Sequence, residues 1–74
     1  MNLSDLKLDE IATINSVRDG KIKSRLYDMG LKVGSKIKVF AVAPFGTPLG
    51  IKCGNIRLAI AKSVAEKITV KHAE

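Results

Sequence analysis

Few side chains in this sequence are equipped for chemistry. There is one cysteine, Cys53, and one histidine, His72. A thiolate nucleophile needs a base or a positive neighbour to lower its pKa, and Cys53 faces the turn Gly54-Asn55 with no nearby residue that clearly makes it a thiolate. Cys53 is expected to be a small buried apolar residue. His72, two residues from the end, is expected to be frayed and solvated, with no carboxylate partner. One thiol and one imidazole exclude an intramolecular disulfide and any zinc site of four Cys or of two Cys and two His. Asp5, Asp9 and Glu10 would attract a divalent ion only loosely and read as a solvated acidic turn. Gly46, Gly50 and Gly54 recur every four residues without the strand-to-helix setting of a phosphate loop, so they read as backbone devices of a hairpin. No catalytic residue, metal site or cofactor is expected.

Charge is the other resource. The chain of 74 residues carries a net +6, unevenly placed. Residues 1–17 are −2, residues 18–38 are +5 and the remainder is +3. The middle segment holds Arg18, Lys21, Lys23, Arg25, Lys32, Lys36 and Lys38 against Asp19 and Asp28. Three readings stay open for it: a solvated basic face, a face that meets an acidic partner, or a nucleic-acid surface. The last usually adds aromatic platforms, and of the three rings, Tyr27, Phe40 and Phe45, one or two are expected in the core. Phe45, in the loop Pro44 to Pro48, is either an exposed contact at a hairpin tip or a lid folded over one end of the fold.

The elements that position these residues can be read from period and punctuation. Leu3 to Leu8 suggests a helical turn capped by Ser4, with Leu3 and Leu8 as a hydrophobic staple. Ile11 to Val17 is β-branched and reads as a strand, ended by a turn at Asp19-Gly20. From Lys21 the period changes: Ile22, Leu26 and Met29 share one helical face, and Arg25 is placed to pair with Asp28. Gly30 stands where a left-handed cap is wanted, with Leu26 and Leu31 as the apolar pair of a Schellman motif. Strands are expected at Lys36 to Val42, with Ile37, Val39 and Ala41 on one face, and at Leu49 to Cys53 and Ile56 to Ile60 around the two-residue turn Gly54-Asn55. A helical turn around Lys62 to Glu66 and a last strand, Lys67 to Lys71, complete the chain. Ile22, Leu26, Met29, Ile37, Val39, Leu58 and Ile68 are the expected core. The sum is one all-β domain over residues 1–74 with one short helix, a small barrel of five to six strands, because so short a chain has one core and closure protects edges. The single thiol, the acidic N-terminus and the lack of a long apolar run read as a soluble cytoplasmic protein.

In order along the chain, Arg25-Leu26-Tyr27-Asp28-Met29-Gly30, Val33-Gly34, Ile37-Lys38-Val39, Pro44-Phe45-Gly46-Thr47-Pro48, Gly54 to Ile60 and Ala65 to Val70 resemble the core of the ferrous-iron transport protein A (FeoA) family. The resemblance covers essentially the whole chain and rests on the combination. It departs at Leu8-Asp9, where the family often has Pro-Gly, and at Ala61, near which the family often has a second basic residue. It implies an SH3-like barrel and a non-enzymatic cytoplasmic accessory that docks on FeoB, the membrane ferrous-iron transporter, at the inner face of the membrane without inserting into it. Self-association through edge strands or loops stays open. Similar barrels occur in iron-dependent repressors of the diphtheria-toxin-repressor type, so a regulatory or nucleic-acid-binding domain is the alternative, although no helix-turn-helix is present. An iron-binding chaperone is a third reading. The candidate partner contacts are Lys21, Arg25, Phe45, Thr47 and Leu49.

Overall fold

The structure, a computed structural model, describes residues 1–73. Five antiparallel strands form one sheet: β1 (Ile11–Val17), β2 (Lys36–Val42), β3 (Leu49–Cys53), β4 (Ile56–Ile60) and β5 (Ile68–His72). Helix α1 (Gly20–Asp28) joins β1 to β2, and the short α2 (Lys62–Ala65) joins β4 to β5. The strand order is β4-β3-β2-β1-β5. The sheet curls in the manner of a small barrel without closing, so β4 and β5 stand at its two ends. The β5 end is occupied: Asn2 bridges to Thr69, and Val70 donates its N–H to the Met1 carbonyl at 2.8 Å. Among the described residues no equivalent segment pairs with β4.

The inward residues of each strand form the core. Ile14, Ile37, Val39, Ile51, Ile68 and Val70 are fully buried, with Leu3, Leu6 and Leu26 sealing the ends of the sheet. Each such aliphatic side chain contributes about 1.5–3 kcal/mol by leaving water. Alternation fails at β2. The pairing with β3 shifts between Val39 and Ala41, so Phe40 is an inserted residue and Ala41 turns to solvent instead of continuing the face of Ile37 and Val39. A bulge changes which face the following side chains take.

Helix α1 is bounded by its own side chains and turns. Asp19-Gly20 is not a free turn: the Asp19 carboxylate accepts the N–H of Lys21 at 2.8 Å and of Ile22 at 3.2 Å, and so caps the helix. At the other end Gly30 takes φ +95, and the expected Schellman motif forms. Leu31 donates to the Leu26 carbonyl at 2.7 Å, and Gly30 donates to the Tyr27 carbonyl at 3.0 Å. Both leucines are buried.

Three local expectations are corrected. The N-terminal turn is a single 3₁₀ turn, Leu3–Asp5, in which the Asp5 carboxylate accepts the Asn2 N–H at 2.9 Å. The chain turns extended at Leu6, so Leu8 lies beyond the turn, exposed, and makes no staple. Met29, expected in the core, is 45% exposed. His72 is paired rather than frayed. It sits in β5 opposite Ala12, and its Nε2 lies 2.9 Å from Glu10 Oε2.

Candidate docking surface

The apolar stripe of α1 is only partly covered. Leu26 is buried, whereas Ile22 is half-buried and Met29 open. Opposite them stand Leu58 and Ile60 of β4, with Ala61 and Val64 at the start of α2. Between these elements runs a mainly apolar groove of about 200 Å³, with Arg25 on its rim. Small-ligand sites usually hold about 300–1,000 Å³, so this groove suits side chains better than a cofactor. Ile22 and Leu58 pack half-buried against the core, as read, whereas Met29 stands outside it, because a periodic apolar stripe looks the same whether a neighbour covers it or half-covers it.

Lys21 and Arg25 are both exposed and lie one turn apart on α1. Arg25 does not pair with Asp28; among the described residues the lysine–carboxylate pairs are Lys38–Asp9 at 3.8 Å and Lys67–Asp19 at 3.9 Å, and His72 hydrogen-bonds Glu10. Lys21, Lys23, Arg25, Arg57 and Lys62 therefore remain without a carboxylate partner among the described residues. Cys53 is free and half-buried against the core.

The loop between β2 and β3 settles two candidates. Gly46, at φ +81, donates to the Ala43 carbonyl at 2.8 Å, and this tight turn throws Phe45 outward, 93% exposed. Phe45 is a projecting ring and not a lid. Thr47 has a structural duty as well as an exposed position: its hydroxyl accepts the Lys62 N–H at 3.1 Å, which satisfies a donor at the start of α2. The loop is thereby fixed beside Ala61 and Lys62, next to the groove that Arg25 borders.

Leu49 does not belong with the surface candidates. It is 3% exposed, because it opens β3 on the inward face, paired with Val42 and Ile60.

The other face of the sheet carries a second, shallower hollow of about 420 Å³. Gly50 makes room for it: a Cβ there would lie 3.0 Å from Phe40 Cζ. The Phe40 ring lies over β3, and the Arg57 guanidinium sits 5.8 Å from its centre. All three aromatic residues are exposed, contrary to the expectation that one or two would be core: Tyr27, Phe40 and Phe45 all reach solvent.

The acidic residues near the N-terminus are engaged with backbone and cations. Glu10 accepts the Lys7 N–H at 2.6 Å, and this bond together with the His72 contact holds its pKa below the usual glutamate value. Among the described residues no three His, Cys, Asp or Glu side chains gather as metal ligands. Nor is any helix among them long and apolar enough to cross a membrane. What the arrangement offers is a surface: a groove, a projecting ring and unpaired cations.

The family model of the FeoA domain matches residues 1–72. The FeoA protein of Chlorobium tepidum superposes with a TM-score of 0.92 at 37% identity, over 100% of this chain and 71% of that one. Iron(II) transport protein A of Clostridium thermocellum does so with a TM-score of 0.89 at 32% identity, over 99% of this chain and 46% of that one. The zinc complex of Stenotrophomonas maltophilia FeoA has a TM-score of 0.82 at 33% identity, over 96% of this chain and 89% of that one; it is described as a procaryotic SH3-domain protein and a proposed ferrous-iron transport activating factor. No curated protein sequence matches the chain.

Proposed function

Because the chain belongs to the FeoA domain family, we propose that it is a non-enzymatic accessory of ferrous-iron uptake that works by docking on a FeoB-like membrane transporter from the cytoplasmic side. The observation that carries this reading is the surface around α1. A half-covered apolar stripe, Ile22, Leu26 and Met29, lies beside cations without carboxylate partners. Apolar anchors rimmed by charge are the usual make-up of a protein-binding patch. Lys21, Arg25, Phe45 and Thr47 remain the proposed contacts.

Co-purification with the transporter tests it. The complex is expected to form with the unaltered chain and to weaken with Arg25→Glu or Phe45→Ala. No association, together with normal iron uptake in a strain lacking the protein, overturns it.

A second reading rests on the three exposed rings. Arg57 over Phe40 and the neighbouring lysines could offer stacking and phosphate contacts to a single strand. It requires an affinity for DNA or RNA that falls steeply with salt; no shift at low salt removes it.

A further inference from the structure

We infer that the outer edge of β4 is a site of strand addition, where an extended partner segment alternating apolar and acidic residues pairs with the sheet and lays its apolar side chains into the groove beside α1. This deepens the docking reading above and rests on it for the partner.

The backbone supplies the first argument. The turn Gly54-Asn55 has two residues, with Gly54 at φ +59, and Cys53 and Ile56 face each other across it. In such a hairpin the residues flanking the turn exchange both hydrogen bonds, and every second pair thereafter does the same. Ile56, Leu58 and Ile60 therefore bond to β3, and Arg57 and Ala59 turn their N–H and C=O groups outward. Among the described residues neither donates to or accepts from a turn or loop elsewhere, and β4 is the last strand of the sheet. The opposite end of the sheet shows how this fold treats an edge it means to occupy: Met1 and Asn2 pair with β5.

The side chains supply the second. Leu58 and Ile60 face the groove, across from Ile22, Leu26 and Met29. A strand laid along β4 would send alternate residues the same way, because neighbouring strands share their faces. Every second residue of the added segment must then be apolar.

Charge selects the occupant. The elements that border the groove, α1, β4 and α2, carry Lys21, Lys23, Arg25, Arg57 and Lys62 against the single carboxylate Asp28. None of the five cations pairs with a carboxylate among the described residues. A second copy of the chain would add its own net +6 and a second Arg57 on the same edge, and like charges close across strands are unfavourable. The acidic residues between the apolar ones of a foreign strand turn to the opposite face of the sheet, where Arg57 lies, and their charge suits a chain of net +6.

The probe is a blocked octapeptide of alternating Glu and Val, titrated into the 15N-labelled protein at low salt. The expected result is a set of shifts confined to α1, β4 and the start of α2. Hydrogen exchange at the amides of Arg57 and Ala59 should slow by roughly tenfold or more as the edge fills. The same peptide N-methylated at alternate residues, which keeps the side chains but cannot pair, and a Lys-for-Glu version should each bind at least about tenfold more weakly. Ala59→Pro should abolish the protection with the rest of the spectrum retained; if that variant unfolds, the N-methylated peptide decides alone. Binding without added protection at Arg57 and Ala59, equal binding of the N-methylated peptide, or shifts centred on Phe40 and Phe45 would each overturn the proposal. Transporter binding is measured separately. If the transporter binds folded Ala59→Pro as well as it binds the unaltered protein, the edge proposal falls and docking stands; if the peptide protects the edge and the transporter does not bind, docking falls and the edge stands.

Discussion

Gly30 lies against Ile56: a Cβ on the glycine would stand 2.6 Å from Ile56 Cδ1. The residue that follows the C-cap of α1 thus lies against the side-chain tip of the first residue of β4. Two independent demands meet at one position, since φ is also +95 there. Gly30→Ala is expected to cost about 1–3 kcal/mol from the left-handed backbone alone, with steric strain added. Denaturant midpoints of Gly30→Ala and of Gly30→Ala with Ile56→Val separate the two. The double variant should recover the steric part only.

Phe45 and Leu49 sit four residues apart and should behave oppositely. Phe45→Ala removes a ring that is 93% exposed and should leave stability within about 0.5 kcal/mol of the original. Leu49→Ala opens a cavity at a position 3% exposed and should cost about 2–5 kcal/mol. Thermal melts run beside a binding assay give the contrast: Phe45→Ala keeps its Tm and loses affinity, whereas any loss with Leu49→Ala tracks the melt.

The distance between those two residues shows where sequence reasoning reaches its end. Leu26, Gly30 and Leu31 were legible because left-handed turns are local and have few solutions, whereas Asp19 was read as a turn residue and is the cap of α1. The strand bounds of β1, β2, β3 and β4 were legible for the same reason: Gly, Pro and Asn punctuate the connections that flank them. Leu49 was misplaced because a leucine just after a loop gives no local sign of which face it takes. Ala41 was misplaced because a bulge at Phe40 leaves no mark in the alternation before it. The groove was hidden altogether. Whether Met29 is covered depends on how far β4 extends past α1, a long-range matter that no spacing encodes. The pairing of His72 with Glu10, residues at opposite ends of the chain, is of the same kind.

Thr47 should prove a support as much as a contact. Thr47→Val removes the hydroxyl that accepts the Lys62 N–H at 3.1 Å and should cost about 1 kcal/mol. Thr47→Ser should restore it. Amide exchange in α2 is the sensitive readout, because Lys62 and the residues after it lose their anchor to the loop first.

Asp19 gives a pH signature. The backbone N–H groups of Ile22 and then Lys21, followed by the nearby Lys67 ammonium, hold its pKa below the ordinary 3.8. A lowered carboxylate pKa means the charged form is favoured by folding. Its contribution is present in full above the unfolded value and is lost as the pH falls through the folded one. Asp19→Ala should therefore lower the Tm at neutral pH. The gap between variant and original should narrow as the pH drops below 3.8. Paired melts from neutral pH down to acid check it; a gap that widens in acid would contradict the cap.

The Arg57 side chain also bears on how the protein keeps in solution. Strand β4 reads Ile56-Arg57-Leu58-Ala59-Ile60, and Arg57 is its one charge. An unpaired apolar strand is a template for fibril growth, and a single embedded cation is the gatekeeper that stops copies from stacking. Held against Phe40 at 5.8 Å, that gatekeeper lies along the sheet. The same residue that suits an acidic partner strand therefore works, with the net +6 of the chain, against pairing between copies.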